Sequence, residues 1–409
     1  MNNKLTVKNM EFSGDTESEA RKKFEDWLGD ESQWFSDLLY AIKEEWIDQG
    51  GIITDILVRE GMPVYVATVK AYVPFVTKSI TKLPNKKSIY TIMQKFVMQT
   101  IAELEGKVAD FSFYVMGLGI FRCNFSEDST RTALSIRYLN FILPTFEDIG
   151  YPDFYTEFIK NTVIENTIKT PKGLFRVAAV NTGGLILHIG ATGSGKTTSI
   201  AAEIGYIAEK TSGTIITYEN PIEYRFIATK APVRQFEIDR DIESKKENEP
   251  VFDNIKRHLL RNNPSVVMIG EARDNYEIKS MLDFSSRGHL VFGTIHASNV
   301  KEALTTLMAV SKDEPYLLAN SLQAIIAHKL VTGSDGSIVP LFEIMIPDVT
   351  VRNKIAESNL KHLENVFYKE KQLPNSMTFS TCLEKMVKEK RLTPNDARDI
   401  KKSNFGLFF

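Results

Sequence analysis

Gly190-Ala-Thr192-Gly193-Ser194-Gly195-Lys196-Thr197-Thr198 stands between the apolar run Gly184-Leu-Ile-Leu-His-Ile189 and a helix-forming segment at 199–210. Strand, glycine-rich loop and helix, in that order, are the setting a phosphate-binding loop requires. The glycines let the backbone wrap around anionic oxygens, because successive N–H groups must point inward. The helix N-terminus that follows adds the positive end of its dipole. In this pattern Gly190, Thr192, Gly193, Ser194, Gly195 and Thr198 line the phosphates. Lys196 reaches the β- and γ-phosphates, and the Thr197 hydroxyl helps hold Mg²⁺. The stretch implies a nucleoside triphosphate site. What the energy drives has to come from the flanking chain.

Composition sets broad bounds. The 409 residues allow two or three domains, and 43% apolar with 25% charged residues argues against disorder. A net charge of −2 gives no global attraction to nucleic acid or anionic lipid. Cys123 and Cys382 lie far apart and outside any C-x-x-C, which fits a reducing compartment and excludes a zinc module or a disulfide framework. No signal-like apolar segment stands at the N-terminus, and no uncharged apolar run approaches the length of a membrane span. The expectation is therefore a cytoplasmic chain with no integral membrane segment.

Outward from the loop, periodicity predicts a mixed α/β chain. Residues 1–33 read as an acidic extension and 34–142 as a small α+β domain. In that domain helices at 34–46 and 88–104 accompany strands at 55–59, 64–69, 110–116, 119–125 and 131–139. Two prolines and a glycine make 143–152 the expected linker. Residues 153–350 read as the nucleotide-binding domain, starting with a helix over 153–168. Short buried strands at 213–218, 265–270 and 288–294 alternate with helices, the mark of a mostly parallel sheet. Such a sheet binds ligand at the carboxyl ends of its strands. Residues 241–248 read as a solvated loop, and 351–409 as short charged helices divided by Pro374 and Pro394.

Three further clusters follow the loop. Thr217-Tyr-Glu219-Asn220-Pro221-Ile-Glu223 offers a carboxylate, Glu219, to orient or deprotonate an attacking water. Ser265-Val-Val-Met-Ile-Gly270-Glu271 ends an apolar strand in an acid, the arrangement that holds Mg²⁺ directly or through water. Arg273 and Asp274 beside it read equally as an ion pair or as functional groups. His289 and His296 flank one apolar strand and are read as contacting the phosphate or an adjoining acid. No Cys or carboxylate is spaced to complete a metal site with them.

In order and spacing, these motifs resemble the type II/IV secretion system ATPase superfamily, the PilT/GspE-like proteins. The resemblance covers about residues 50–355. It implies an N-terminal PAS-like domain joined to a RecA-like P-loop ATPase core. It implies ATP and Mg²⁺ as cofactors, and a homohexamer at the cytoplasmic face of an inner-membrane secretion complex, held there peripherally through partner proteins. It makes Lys196 and Thr197 the Walker A pair, Glu219 the catalytic glutamate, Glu271 the Walker B acid, and His289 and His296 the histidine pair. Phe121-Arg122-Cys-Asn and Ser135-Ile-Arg137 resemble segments whose arginines approach the nucleotide, so Arg122 and Arg137 become candidates for neutralising phosphate charge. Val351-Arg352-Asn353-Lys354-Ile resembles a segment that transmits motion in retraction motors.

The chain also departs from the family pattern. Asn220 replaces an acid, which rests water activation on Glu219 alone. The four-cysteine element of type II secretion ATPases and the long N-terminal domain of pilus extension motors are missing. The missing cysteines argue against the type II branch, and the 409-residue length, the acidic leader and Asn220 point to the DotB-like type IVB or conjugative-plasmid, TraJ-like branch. Pilus retraction is the alternative. A nucleic-acid translocase is disfavoured by the neutral charge and the lack of a basic, aromatic-interleaved stripe, so no direct nucleic-acid binding is expected. A non-hydrolysing scaffold is disfavoured by Glu219 and Glu271.

Overall fold

The structure is a computed structural model. It describes residues 10–49, 53, 55–67, 72–76, 83–97, 108–128, 130–139, 143–170, 173–181, 183–220, 222–226, 229–238, 242, 251–359, 361, 363, 365–369 and 373–404. The chain divides into two compact units, Met1–Ile142 and Leu143–Phe409.

The first unit runs β1 (Met10–Phe12), α1 (Glu17–Leu28), α2 (Gln33–Ile42), β2 (Asp55–Arg59), β3 (Val64–Ala67), β4 (Tyr72–Phe75), α3 (Lys86–Val97), β5 (Ala109–Val115), β6 (Gly119–Glu127) and β7 (Thr132–Leu139). The strands form one sheet in the order β1-β5-β6-β7-β2-β3-β4, antiparallel except where β1 runs parallel to β5. Period-two patterning sorts its faces. Phe121, Cys123 and Phe125 on β6 and Leu134 and Ile136 on β7 are buried, while Arg122, Asn124, Ser135 and Arg137 take the other face. Phe113 stacks on Phe24 (ring centroids 5.4 Å apart) and on Phe121 (4.9 Å) at the centre of this core.

The expected acidic extension at 1–33 is corrected by β1 and α1. Thr16 caps α1 by accepting from Glu19 N, and Ala20, Phe24 and Leu28 are buried along one helix face. Those three positions carry the i, i+4, i+8 spacing of a helix, but Arg21, Lys22, Lys23, Glu25 and Asp26 dilute it in sequence. Replacing Phe24 with Ala is expected to destabilise the first unit by about 3–5 kcal/mol, measured by urea denaturation. A residue of a solvated extension would leave the midpoint unchanged.

The second unit opens with α4 (Phe146–Ile149) and α5 (Asp153–Lys160), then the hairpin β8 (Val163–Thr170) and β9 (Gly173–Val180). The expected linker at 143–152 is therefore structured. Thr145 and Asp148 form a capping box, and Phe146, Ile149 and Tyr151 are buried in this unit's core. The helix expected over 153–168 stops at Lys160, because Thr162, Val163, Ile164, Thr167 and Ile168 supply β-branched residues that favour a strand. Of the helix expected at 88–104, α3 covers 86–97, and 98–107 lie outside the described residues, as do 241–248 apart from 242.

The remaining elements are β10 (Gly184–Ile189), α6 (Lys196–Lys210), β11 (Ile215–Glu219), β12 (Val233–Glu237), α7 (Val251–Asn262), β13 (Val266–Ile269), α8 (Asn275–Ser286), β14 (Leu290–Ile295), α9 (Val300–Val310), α10 (Pro315–Ser321), β15 (Leu322–Thr332), β16 (Ile338–Met345), α11 (Val349–Ala356), α12 (Phe379–Lys388) and α13 (Pro394–Asn404). The sheet order is β12-β11-β13-β14-β10-β15-β16, parallel throughout except for β15 with β16. Every residue of β10, β11, β13 and β14 is buried, which is why these strands read as continuous apolar runs rather than alternating ones. Glu343 on β16 fastens the C-terminal helices to this sheet. It accepts from Val300 N (2.8 Å), Tyr368 OH (2.8 Å) and Phe379 N (3.5 Å).

Candidate active site

The carboxyl ends of β10, β11, β13 and β14 lie side by side, and each delivers one of the motifs. At the end of β10 the chain turns through Gly190, with φ 143°. A Cβ there would come within 2.6 Å of His328 O and 2.7 Å of Ser194 Oγ, so both conformation and space demand glycine. Gly193 and Gly195 are left-handed, with φ 76° and 95°, and Gly195 leads directly into α6. Lys196 Nζ folds over the loop and donates to Gly190 O (2.8 Å) and Ala191 O (2.9 Å). Burial lowers the Lys196 pKa, opposed by the charges of Glu271 and Glu223. Thr192 and Gly193 are exposed, whereas Thr197 and Thr198 are half-buried on the first turn of α6.

Ser194 Oγ is buried without a hydrogen-bond partner. An orphan hydroxyl inside a left-handed glycine loop at a helix N-terminus is what a phosphate oxygen would satisfy. These residues fit a nucleotide.

Glu219 ends β11 with its carboxyl buried. One oxygen accepts from Thr217 Oγ1 (2.6 Å) and Gln235 Nε2 (3.1 Å). Burial pushes its pKa up to about 7, against the opposing pull of those two donors. Its neighbour Gly270, after β13, donates its N–H to Tyr218 O at 2.8 Å. A Cβ on Gly270 would crowd Glu219 Cα and Tyr218 O at 3.3 Å, which accounts for glycine before the acid. Glu271 follows, held by His296 Nε2 (2.6 Å) and Arg273 Nε (2.9 Å). Burial raises the Glu271 pKa, but Arg273 and His296 together outweigh it and leave it below the ordinary glutamate value. Asp274 serves structure, capping α8 at Glu277 N.

The two histidines separate. His296 lies past the carboxyl end of β14 and meets Glu271. His289 precedes the amino end, about 20 Å away along six residues of strand, where its Nδ1 meets Pro264 O at 2.6 Å. The expectation that both contact the phosphate or its acid is corrected for His289. The strand that looks symmetrical in sequence has its two ends on opposite edges of the sheet. In the first unit, Arg122 and Arg137 are direct cross-strand partners, and Arg137 pairs with Asp55 at 3.0 Å. Arg352 on α11 binds Ala319 O (2.7 Å) and Gln323 Oε1 (3.3 Å), beside the start of β15.

The sequence motifs omit several partners. Gln235 on edge strand β12 holds Glu219, Tyr224 O (2.7 Å) and Phe226 N (3.2 Å), and Tyr224 OH reaches Thr198 Oγ1 at 3.1 Å. Thr294 Oγ1 bonds Gly270 O at 2.5 Å, tying β14 to the Glu271 turn. These residues carry no signal of their own in sequence, since only the pairing of β12 with β11 brings Gln235 level with Thr217.

A loop of this geometry between a buried parallel strand and a helix defines the P-loop nucleotide-binding class. Residues 167–339 match the family described as Type II/IV secretion system protein. The uncharacterized protein YggR of Escherichia coli is 32% identical over 265 residues, covering 64% of this chain and 73% of that protein. The pilus retraction motor PilT with bound ADP superposes with a TM-score of 0.71 at 29% identity, over 90% of this chain and 98% of that one. The Legionella pneumophila ATPase DotB superposes with a TM-score of 0.71 at 21% identity, over 90% and 95%, a likeness of fold. The chain belongs to the type II/IV secretion system ATPase superfamily. Its mixed α/β architecture, an N-terminal domain followed by an ATPase core, is the one the motifs imply.

Proposed function

We propose that this protein is a Mg²⁺-dependent ATPase that assembles as a homohexamer and drives a secretion or pilus machine from the cytoplasmic face of the inner membrane. The observation that carries the ATPase reading is the Glu219 carboxyl, buried at the carboxyl end of β11 on the same side of the sheet as the Lys196 loop and pushed up to about 7 by that burial. A general base works best with a pKa near the operating pH. Glu219 takes the proton of the attacking water, with Thr217 and Gln235 fixing its rotamer. Lys196 and the loop N–H groups hold the phosphates, and the dipole of α6 faces them. Thr197 and Glu271 would hold Mg²⁺, which supplies charge neutralisation on the phosphates. Arg122 and Arg137 are proposed to add positive charge at the nucleotide in the assembled ring.

The machine has two readings. Asn220 in place of an acid supports a type IVB or conjugative role. The 29% identity to the retraction motor PilT over nearly the whole of both chains supports pilus retraction. Among the described residues no helix is long and apolar enough to cross a membrane. Expression in a retraction-deficient piliated strain and in a transfer-deficient plasmid donor separates the two, since only the served machine regains movement or DNA transfer.

Phosphate release from ATP by the purified protein tests the activity. EDTA is expected to abolish it. Glu271→Ala is expected to raise the Mg²⁺ concentration for half-activation by about 10–100-fold, the usual cost of losing a carboxylate that holds a metal through water. Activity that is indifferent to EDTA would remove Mg²⁺ from the mechanism.

A further inference from the structure

Five buried polar side chains beneath the nucleotide loop play no part in the chemistry above. Tyr151 OH (2.5 Å) and Tyr155 OH (3.0 Å) both donate to Glu203 Oε1. Glu203 Oε2 meets His188 Nε2 at 3.1 Å, and His188 Nδ1 meets His328 Nε2 at 2.9 Å. His188 and Glu203 have no solvent exposure. Glu203 takes the two tyrosine hydroxyls on one oxygen and His188 Nε2 on the other, and the tautomers of the two rings set which of His188 Nδ1 and His328 Nε2 donates across their contact. Burial holds the His328 pKa well below its ordinary value, and the charges of His188 and Lys196 add to that. Burial and Glu203 hold both tyrosine hydroxyls well above theirs, so they remain donors.

A buried polar chain of this kind is no better for stability than apolar residues of the same volume. What it supplies is one fixed arrangement. It joins the three elements that frame the loop. His188 is on β10, two residues before Gly190. Glu203 is on α6, seven residues and two helical turns after Lys196. His328 is on β15, and its carbonyl oxygen limits the space at Gly190. Lys196 in turn rests on Gly190 O. The far end of the chain sits on α5 and on Tyr151, between α4 and α5.

We propose that the Tyr151/Tyr155–Glu203–His188–His328 chain positions the nucleotide loop, holding β10, α6 and β15 in one register and linking that register to the helices that open the ATPase unit. The proposal rests on reading 190–198 as the nucleotide site. All five are positioning residues, acting through Gly190 and Lys196.

The test is titration of the full-length protein with a fluorescent ADP analogue, alongside thermal melts. His328→Leu removes the last hydrogen bond at similar volume, and His328→Gln places an amide, able to donate or to accept, where Nε2 stands. The variant carrying Tyr151→Phe and Tyr155→Phe cuts the chain at its far end without touching the loop. The Leu variant is expected to bind about tenfold more weakly, the Gln variant within about twofold of wild type, and the tyrosine variant about three- to tenfold more weakly, the loss of one or two hydrogen bonds' worth of placement. A cooperatively melting Leu variant with wild-type affinity overturns the proposal and leaves the chain a matter of packing. So does a Gln variant no better than Leu. If the Leu variant does not fold, the tyrosine variant decides, and wild-type affinity there overturns the proposal equally. Failure of the wild-type chain itself to bind would overturn the nucleotide site first, a result distinct from all of these.

Discussion

Glu219→Gln is expected to bind ATP as the wild type does and to hydrolyse it about 10²–10⁴-fold more slowly, the range for loss of a positioned general base. Glutamine keeps the shape, and its carbonyl oxygen can still accept from Thr217 and Gln235, so the β11 end stays in place. What goes is the proton acceptor. The pH dependence follows from the raised pKa, about 7. Wild-type kcat/KM should climb as pH rises through about 7, when Glu219 of the free enzyme deprotonates, and the Gln variant should lack that limb. Stability gives a second readout with its own sign. An acid whose folded-state pKa is raised from 4.5 to about 7 contributes stability that is fully present below 4.5 and is lost as pH rises through about 7. The Gln variant is never charged, so it should lose less stability than the wild type between about pH 5 and 8. Single-turnover phosphate release and melting curves across that range measure both. Wild-type turnover in the variant would take Glu219 out of the chemistry.

Most of the ATPase unit was legible from sequence, because parallel strands buried on both faces leave uninterrupted apolar runs that end in a glycine, an acid or both. Gly190, Glu219 and Gly270-Glu271 all come from that one rule, and the structure gathers them at one edge of the sheet. Three kinds of residue escaped it. Ala20, Phe24 and Leu28 make a three-residue stripe inside a highly charged segment, and only the aromatic core that receives Phe24 shows the stripe to be buried. His289 and His296 look equivalent in sequence because spacing along a strand does not say which sheet edge carries ligand. Gln235, Glu203 and His328 act through partners 15 to 140 residues away, and only strand order brings those partners together.

Lys196→Ala is expected to abolish turnover and to weaken nucleotide binding until no saturation is seen at concentrations that fill the wild type. Nζ is the one cation the loop itself carries, and it is half-buried, where a charge acts on phosphate oxygens through less water than at the surface. The loop backbone should survive its loss. Gly190, Gly193 and Gly195 set the turn through their own φ angles, and the two carbonyls that Lys196 now occupies lie at a part-exposed and an exposed contact that water can serve. Removing a positive charge from the first turn of α6 also relieves an unfavourable interaction with the helix dipole, worth about 0.3–1 kcal/mol, and alanine is the best helix former. The variant alone should therefore melt at or slightly above the wild-type temperature. The difference appears with ligand. A nucleotide at about 100 times its Kd stabilises the wild type by about 2.7 kcal/mol, and the Ala variant should gain almost none of that. Equal ligand-induced shifts in the two proteins would mean that the phosphates are held by the loop N–H groups alone, and the central role given to Lys196 would fall.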